Sequence, residues 1–224
     1  MIAFATDSAL LRRFAGTLGL VAPELSGYPA ADCEAARLAW AARIVDEYRS
    51  VAVFSELLQL LADLEAPFAV LCAVQQIIGD ELRHTRVMAE VVDWLGGMAD
   101  LAIDLSDIGL PPRAADEPAA VRARRIVGRE LVVAEEESIA VLAAYRDATT
   151  EPAIRAVLAQ VLTDEVRHAA AGRAILAALG GATAELAAEM AADRARLRVD
   201  YASGAVGGPG RALGACIERV DLRS

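Results

Sequence analysis

The chain contains one five-residue pattern twice, as Asp-Glu-Leu-Arg-His at residues 80–84 and as Asp-Glu-Val-Arg-His at residues 164–168. The two copies hold the chain's only two histidines. A glutamate and a histidine three residues apart project from the same face of a helix, about one turn apart, so both can bind one metal ion. A single copy is more often part of a solvated helix face. Two copies that hold every histidine predict a fold in which two helices meet at a shared metal site.

The similarity between the two halves extends beyond this pattern. At the same offset of 84 positions, Gly96-Gly97 and Gly180-Gly181 follow the two copies, and Pro67 and Pro152 open the two helices at an offset of 85. A proline at the first turn and glycines after the last turn are typical helix boundaries. The repeat predicts two helical hairpins that pack about a pseudo-twofold axis, each supplying half of the site.

Apolar residues recur with a period close to 3.6, which predicts an all-α chain. The predicted helices span about 33–64, 67–95, 118–146 and 152–180, with flanking helices at about 7–20 and 182–201. The links at 65–66 and 147–151 are short, whereas residues 98–116 form a long connection without a long helix. We therefore expect a four-helix bundle with a long crossover between helices 2 and 3. One domain covers residues 1–224, with a core at 33–181, the C-terminal helix at 182–201 and a flexible tail at 202–224.

Charge and composition exclude several classes of function. The chain has 32 acidic and 22 basic residues and a net charge of -10, which disfavours binding to nucleic acid or to an anionic membrane. No apolar run approaches the roughly 18 residues of a membrane span, and the N-terminus lacks a secretion signal, so we expect a soluble, cytoplasmic protein. Cys33, Cys72 and Cys216 are far apart and form no C-x-x-C pair, which indicates free thiols in a reducing compartment.

A site for two metal ions needs two further carboxylates, one from each of the other two long helices. In the first long helix Glu47 lies on an apolar stripe, where a carboxylate is costly unless a cation or hydrogen bonds compensate. Glu56 is the weaker candidate, because it lies close to the opposite face. The predicted metal ligands of the first hairpin are therefore Glu47, Glu81 and His84.

The third helix offers several glutamates at the required height. Glu135 is surrounded by apolar residues and is the predicted ligand, together with Glu165 and His168 of the fourth helix. Glu130 is the alternate, since its separation of 35 residues from Glu165 is closer to the 34 residues between Glu47 and Glu81. The remaining acidic residues, at 136 and 137, belong to a solvated face or lie behind the ligands.

This order of ligands, Glu, Glu-x-x-His, Glu, Glu-x-x-His, resembles the ferritin-like di-iron carboxylate superfamily. More narrowly, residues 40–84 look like bacterial ferritin-like domain proteins of poorly defined function, whose third helix often carries Glu-Gly-Cys-x-Gly-Glu-Thr. The matching stretch, residues 130–136, keeps both glutamates but has neither the glycines nor the cysteine. The resemblance covers roughly residues 34–181 and is specific for fold and metal, not for substrate.

The resemblance implies a non-haem di-iron oxidase or oxygenase that uses O2 to oxidise a small organic substrate, as in secondary metabolism. The implied cofactors are two Fe ions, or a Mn/Fe pair, with an external electron donor and no catalytic residue beyond the metal ligands. A homodimer is compatible with this function. One alternative is a ferroxidase, iron-handling or peroxide-scavenging protein, and another is an accessory protein that the metals only stabilise. Asp80 and Asp164 would orient the histidines, or form surface ion pairs with Arg83 and Arg167.

Overall fold

A computed structural model describes residues 18–97, 109–203 and 210–215, and within these residues all regular structure is helical. The elements are α1 (Ala30–Asp63), α2 (Phe68–Trp94), α3 (Ala119–Ile126), a π-helical segment (Val127–Ala134), α4 (Glu135–Ala148), α5 (Pro152–Ala178), α6 (Ala184–Ser203) and a 3₁₀ turn (Arg211–Leu213). The all-α prediction is confirmed for this part of the chain. Most of the predicted N-terminal helix, and residues 98–108 of the long connection, lie outside it. No described helix has the length and apolar character that crossing a membrane requires.

Prolines set where the long helices begin. Pro29, Pro67 and Pro118 immediately precede α1, α2 and α3, and Pro152 is the first residue of α5. Proline fixes φ near its helical value and lacks an N–H group, which has no acceptor in the first turn anyway. The ends of α2 and α5 coincide with the two glycine pairs that the repeat analysis identified. The boundaries of these two helices therefore follow from local sequence.

The helices pack as two hairpins. In the first, α1 packs along α2; in the second, α4 and the π-helical segment pack along α5. The hairpins meet where α2 contacts α5 and where α1 contacts α3, and α6 covers the π-helical segment and α4. The α2–α5 contact places the two copies of the repeated pattern side by side. This is the arrangement that a shared site requires.

Two apolar clusters fill the space between the hairpins, one on each side of a polar layer. The first cluster includes Trp40, Ile44 and Leu158, and the second includes Phe54 and Leu131. Burying each large side chain stabilises the fold by roughly 1.5–3 kcal/mol. Between the clusters, α1, α2, α4 and α5 each contribute charged side chains. We define the polar layer as Glu47, Asp80, Glu81, His84, Glu135, Asp164, Glu165 and His168.

The third long helix contains an eight-residue π-helical segment that the sequence analysis did not predict, since apolar periodicity indicated one continuous α-helix. It lies very close to α5 at Gly172, where a Cβ atom would come 2.7 Å from the Leu131 carbonyl oxygen. Only glycine permits this approach. Because a π-turn closes between residues i and i+5, Glu130 and Glu135 lie one turn apart on one face. In an α-helix they would be about 140° apart.

Candidate metal centre

The polar layer brings together six of the seven side chains predicted as metal ligands. Glu81, His84, Glu165 and His168 are at most 3% exposed, and Glu135 is 7% exposed. Glu47 completes the set from α1, with 15% of its side chain exposed. The cluster is thus a buried group of acidic and histidine side chains that could bind a metal. Its Glu47 side is the most accessible to solvent.

The six side chains form two groups with two shared members. Potential ligand atoms of Glu47, Glu81, His84 and Glu165 all lie within 4.8 Å of one another. The same limit holds for the second group, which consists of Glu81, Glu135, Glu165 and His168. Because Glu81 and Glu165 belong to both groups, each carboxylate can reach two adjacent cations with its two oxygens. Glu47 and Glu135 each belong to one group.

The imidazole rings present Nδ1 to the carboxylates. His84 Nδ1 lies 3.2 Å from both Glu47 Oε2 and Glu165 Oε1, and His168 Nδ1 lies 3.2 Å from both Glu81 Oε1 and Glu165 Oε2. The ring centroids are 5.8 Å apart. In each ring Nδ1 is therefore the nitrogen that could bind a metal ion at this cluster.

The other nitrogen of each ring contacts an aspartate from the opposite hairpin. His84 Nε2 lies 3.2 Å from Asp164 Oδ2, and His168 Nε2 lies 3.3 Å from Asp80 Oδ2. An aspartate that accepts from Nε2–H fixes the tautomer that leaves Nδ1 unprotonated for a metal. The aspartate of each repeated pattern thus orients the histidine of the other pattern.

Two arginines complete this crosswise arrangement. Arg83 pairs with Asp80 at 2.9 Å and with Asp164, and Arg167 pairs with Asp164 and lies 3.6 Å from Asp80. Asp164 in particular has its pKa lowered to about 2, because the hydrogen bonds from His84 and Arg167 outweigh the effect of burial. Each aspartate therefore contacts both a histidine and an arginine, but Asp80 and Asp164 are buried, so these are not the surface ion pairs of the alternative interpretation.

Without cations, burial and repulsion between neighbouring carboxylates make ionisation of Glu81 and Glu135 unfavourable. Burial and the charge of Glu165 raise the pKa of both Glu81 and Glu135 well above the usual range. Burial opposes protonation of His168, but the neighbouring carboxylates of Glu165 and Glu81 raise its pKa to about 10. Two unit charges within 4.8 Å repel by roughly 3 kcal/mol at an effective dielectric constant of about 20. The metal-free site therefore holds protons where divalent cations would otherwise neutralise the carboxylates.

The donor set fits two divalent cations. Glu81 Oε1 is buried and accepts no hydrogen bond, although it lies 3.2 Å from His168 Nδ1, so its geometry leaves it available to a cation. Four carboxylates balance the charge of two divalent ions when both histidines are neutral, and the aspartate–arginine pairs balance each other. Mixed carboxylate and imidazole ligands suit iron or manganese better than zinc in a site with open positions.

The remaining glutamate candidates lie elsewhere. Glu130 accepts two hydrogen bonds from Arg49, at 2.9 and 3.2 Å, and is absent from both ligand groups. Glu56 pairs with Arg122. Glu136 and Glu137 pair with arginines of α6, namely Arg194 and Arg198. The structure therefore gives each of these carboxylates an arginine partner.

The sequence analysis left open the contacts from Asp80 and Asp164, and did not predict the π-helical segment. The contacts of the aspartates could have been predicted from the sequence, because Asp and Arg occupy the same positions in both copies of the repeated pattern. No protein-family model matches the chain, and comparisons with curated proteins and with solved structures find no match either.

Proposed function

We propose that this chain is a ferritin-like four-helix-bundle protein with a carboxylate-bridged di-iron site, and that it uses O2 to oxidise a small organic substrate. The observation that carries the proposal is the pair of buried ligand groups that share Glu81 and Glu165. This set has the composition that ferritin-like bundles use, with one glutamate from each of two helices and a Glu-x-x-His from each of the other two.

Two iron ions held by these residues would supply the redox chemistry, namely reduction of O2 coupled to oxidation of the substrate. The protein's own residues would hold the ions, orient the histidines and exclude water. Glu81 and Glu165 would be shared between the two ions, and the aspartates fix the orientation of His84 and His168. The apolar clusters on both sides exclude water, which strengthens electrostatic interactions within the layer.

Access for a small molecule is best on the α1 side. Glu47 and Val51, one turn apart on the same face, are half-buried, whereas Ile44 and Phe54 on either side are fully buried. This partial exposure supports entry of a small substrate beside Glu47. An external electron donor and a reducing cytoplasmic setting are part of the proposal. The described cysteines, Cys33 and Cys72, are free thiols.

The test is anaerobic loading with Fe(II), followed by exposure to O2 with and without candidate organic substrates. We expect O2 consumption and an oxidised product from the wild type, and neither from Glu81→Ala or His168→Ala. Turnover of Fe(II) itself without an organic product would identify the alternative, a ferroxidase or iron-handling protein. Loaded protein that is inert to O2 would leave only a metal-stabilised accessory protein.

A further inference from the structure

Residues 210–215, here called the C-terminal strap, pack into a groove between α1 and the α4–α5 link. Leu213 is fully buried and belongs to the first apolar cluster. Gly210 has φ 76°, and a Cβ atom there would lie 2.6 Å from the Asp32 carbonyl oxygen, so only glycine fits. The groove therefore selects both an apolar anchor and a specific backbone conformation.

Three consecutive carbonyl groups of the C-terminal strap accept hydrogen bonds. The Ala212 oxygen accepts from the backbone N–H groups of Thr150 and Glu151, at 3.0 and 3.1 Å. The Leu213 oxygen accepts from Trp40 Nε1 at 2.9 Å. The Gly214 oxygen accepts from Arg43 Nη2 at 2.8 Å. The groove thus recognises the main chain of the strap.

Arg43 contacts the C-terminal strap and lies on the same helix as Glu47. Its guanidinium lies 4.5 Å from the Trp40 ring centroid and 4.6 Å from that of Tyr145, and the side chain is buried. On α1, Arg43 precedes Glu47 by four residues. Side chains at this spacing are neighbours on one helix face, so the Arg43 guanidinium can reach the Glu47 carboxylate.

We propose that docking of the C-terminal strap holds Arg43 away from Glu47 and so keeps this carboxylate available to a metal ion. When the strap leaves, the Arg43 guanidinium loses the Gly214 carbonyl and pairs with Glu47, one turn away. It then competes with the cation for that carboxylate. Docking and metal binding therefore reinforce each other. This inference rests on the proposed metal-binding function.

Because the coupling is thermodynamic, it is reciprocal. If the docked strap raises metal affinity about tenfold, a bound metal must raise strap affinity by the same factor. A purely structural role for the strap would not require the loss of metal affinity to depend on Arg43. This difference allows a decisive comparison of variants.

The experiment compares truncation after Pro209, which removes the strap, with truncation after Ala215, which keeps it. Metal affinity is measured by competition between Co(II) and a chromophoric chelator. We expect about tenfold weaker binding at the Glu47 group only for the shorter chain. A synthetic peptide of residues 208–215 should restore it and bind about tenfold more tightly to metal-loaded than to metal-free protein. Arg43→Met in the shorter chain should also restore affinity.

Unchanged affinity after strap removal, or a loss that Arg43→Met fails to restore, would overturn this inference. If the shorter chain does not fold, Leu213→Ala in the full chain provides the same test. That variant should weaken metal binding, and the added Arg43→Met substitution should restore it. An intact chain that binds no metal would instead refute the proposed function. The two failures are therefore distinguishable.

Discussion

Replacing Gly172 by alanine tests whether close packing against α5 positions the π-helical segment. The new Cβ would lie 2.7 Å from the Leu131 carbonyl oxygen and 3.0 Å from the Leu131 carbonyl carbon, so backbone must move. Overpacking of this kind costs typically 1–3 kcal/mol. Alanine also favours helix over glycine by about 1 kcal/mol, which partly masks the cost.

Gly79→Ala is the matched control. Gly79 lies within α2, it is exposed, and nothing lies within 4 Å of an added Cβ. Both variants gain the same helix propensity, so the difference between them isolates the contact with Leu131. We expect Gly172→Ala to be less stable than Gly79→Ala by about 1–3 kcal/mol. For a chain of this size, that corresponds to a Tm difference of roughly 2–12 °C.

Thermal unfolding followed by circular dichroism measures this difference in the metal-free protein. Metal titration of the same two variants adds a second readout, because Leu131 precedes Glu135 by only four residues. Gly172→Ala should weaken binding at the Glu135 group, while Gly79→Ala should not. Equal Tm values for the two variants would refute the role assigned to the close contact.

Three further predictions concern the metal centre. Because the pKa of His168 is raised to about 10, protonation of this histidine stabilises the metal-free protein. The contribution is complete below pH 6.5 and is lost as the pH rises to about 10. The raised pKa of Glu81 adds a contribution that is lost in the same direction, beginning at lower pH. The Tm gain on metal loading should therefore widen with pH, and a narrowing gain would contradict this. Asp164→Asn should weaken metal binding about 10–100-fold at the His84 group, which belongs to the opposite hairpin; an effect confined to its own hairpin would argue against the crosswise contacts. Glu130→Gln should leave the metal stoichiometry unchanged, and loss of an ion would identify Glu130 as a ligand.

Much of the site was predictable because it depends on local periodicity. Glu47 was identified by its place on an apolar stripe, and the structure places it beside Glu81 and His84. The choice between Glu135 and Glu130 was harder. The residue count favoured Glu130 and the apolar surroundings favoured Glu135, and the π-helical segment changes the count. Whether these residues hold metal stays a prediction.

Other features depend on contacts between distant segments. The contact of each aspartate with the opposite histidine exists only because α2 and α5 lie side by side, and no spacing within one helix encodes it. The C-terminal strap was part of a predicted flexible tail, since its composition is rich in glycine. Its position depends on Trp40 and Arg43, more than 170 residues earlier in the chain.

The central claim is that the polar layer binds two metal ions between Glu81 and Glu165. Anomalous diffraction from crystals loaded anaerobically with Fe(II) tests it most directly. We expect two peaks about 3.5–4 Å apart, the usual spacing of paired catalytic metals, each beside one histidine Nδ1. A map with no anomalous peak in the polar layer, or with a single ion, would contradict the account.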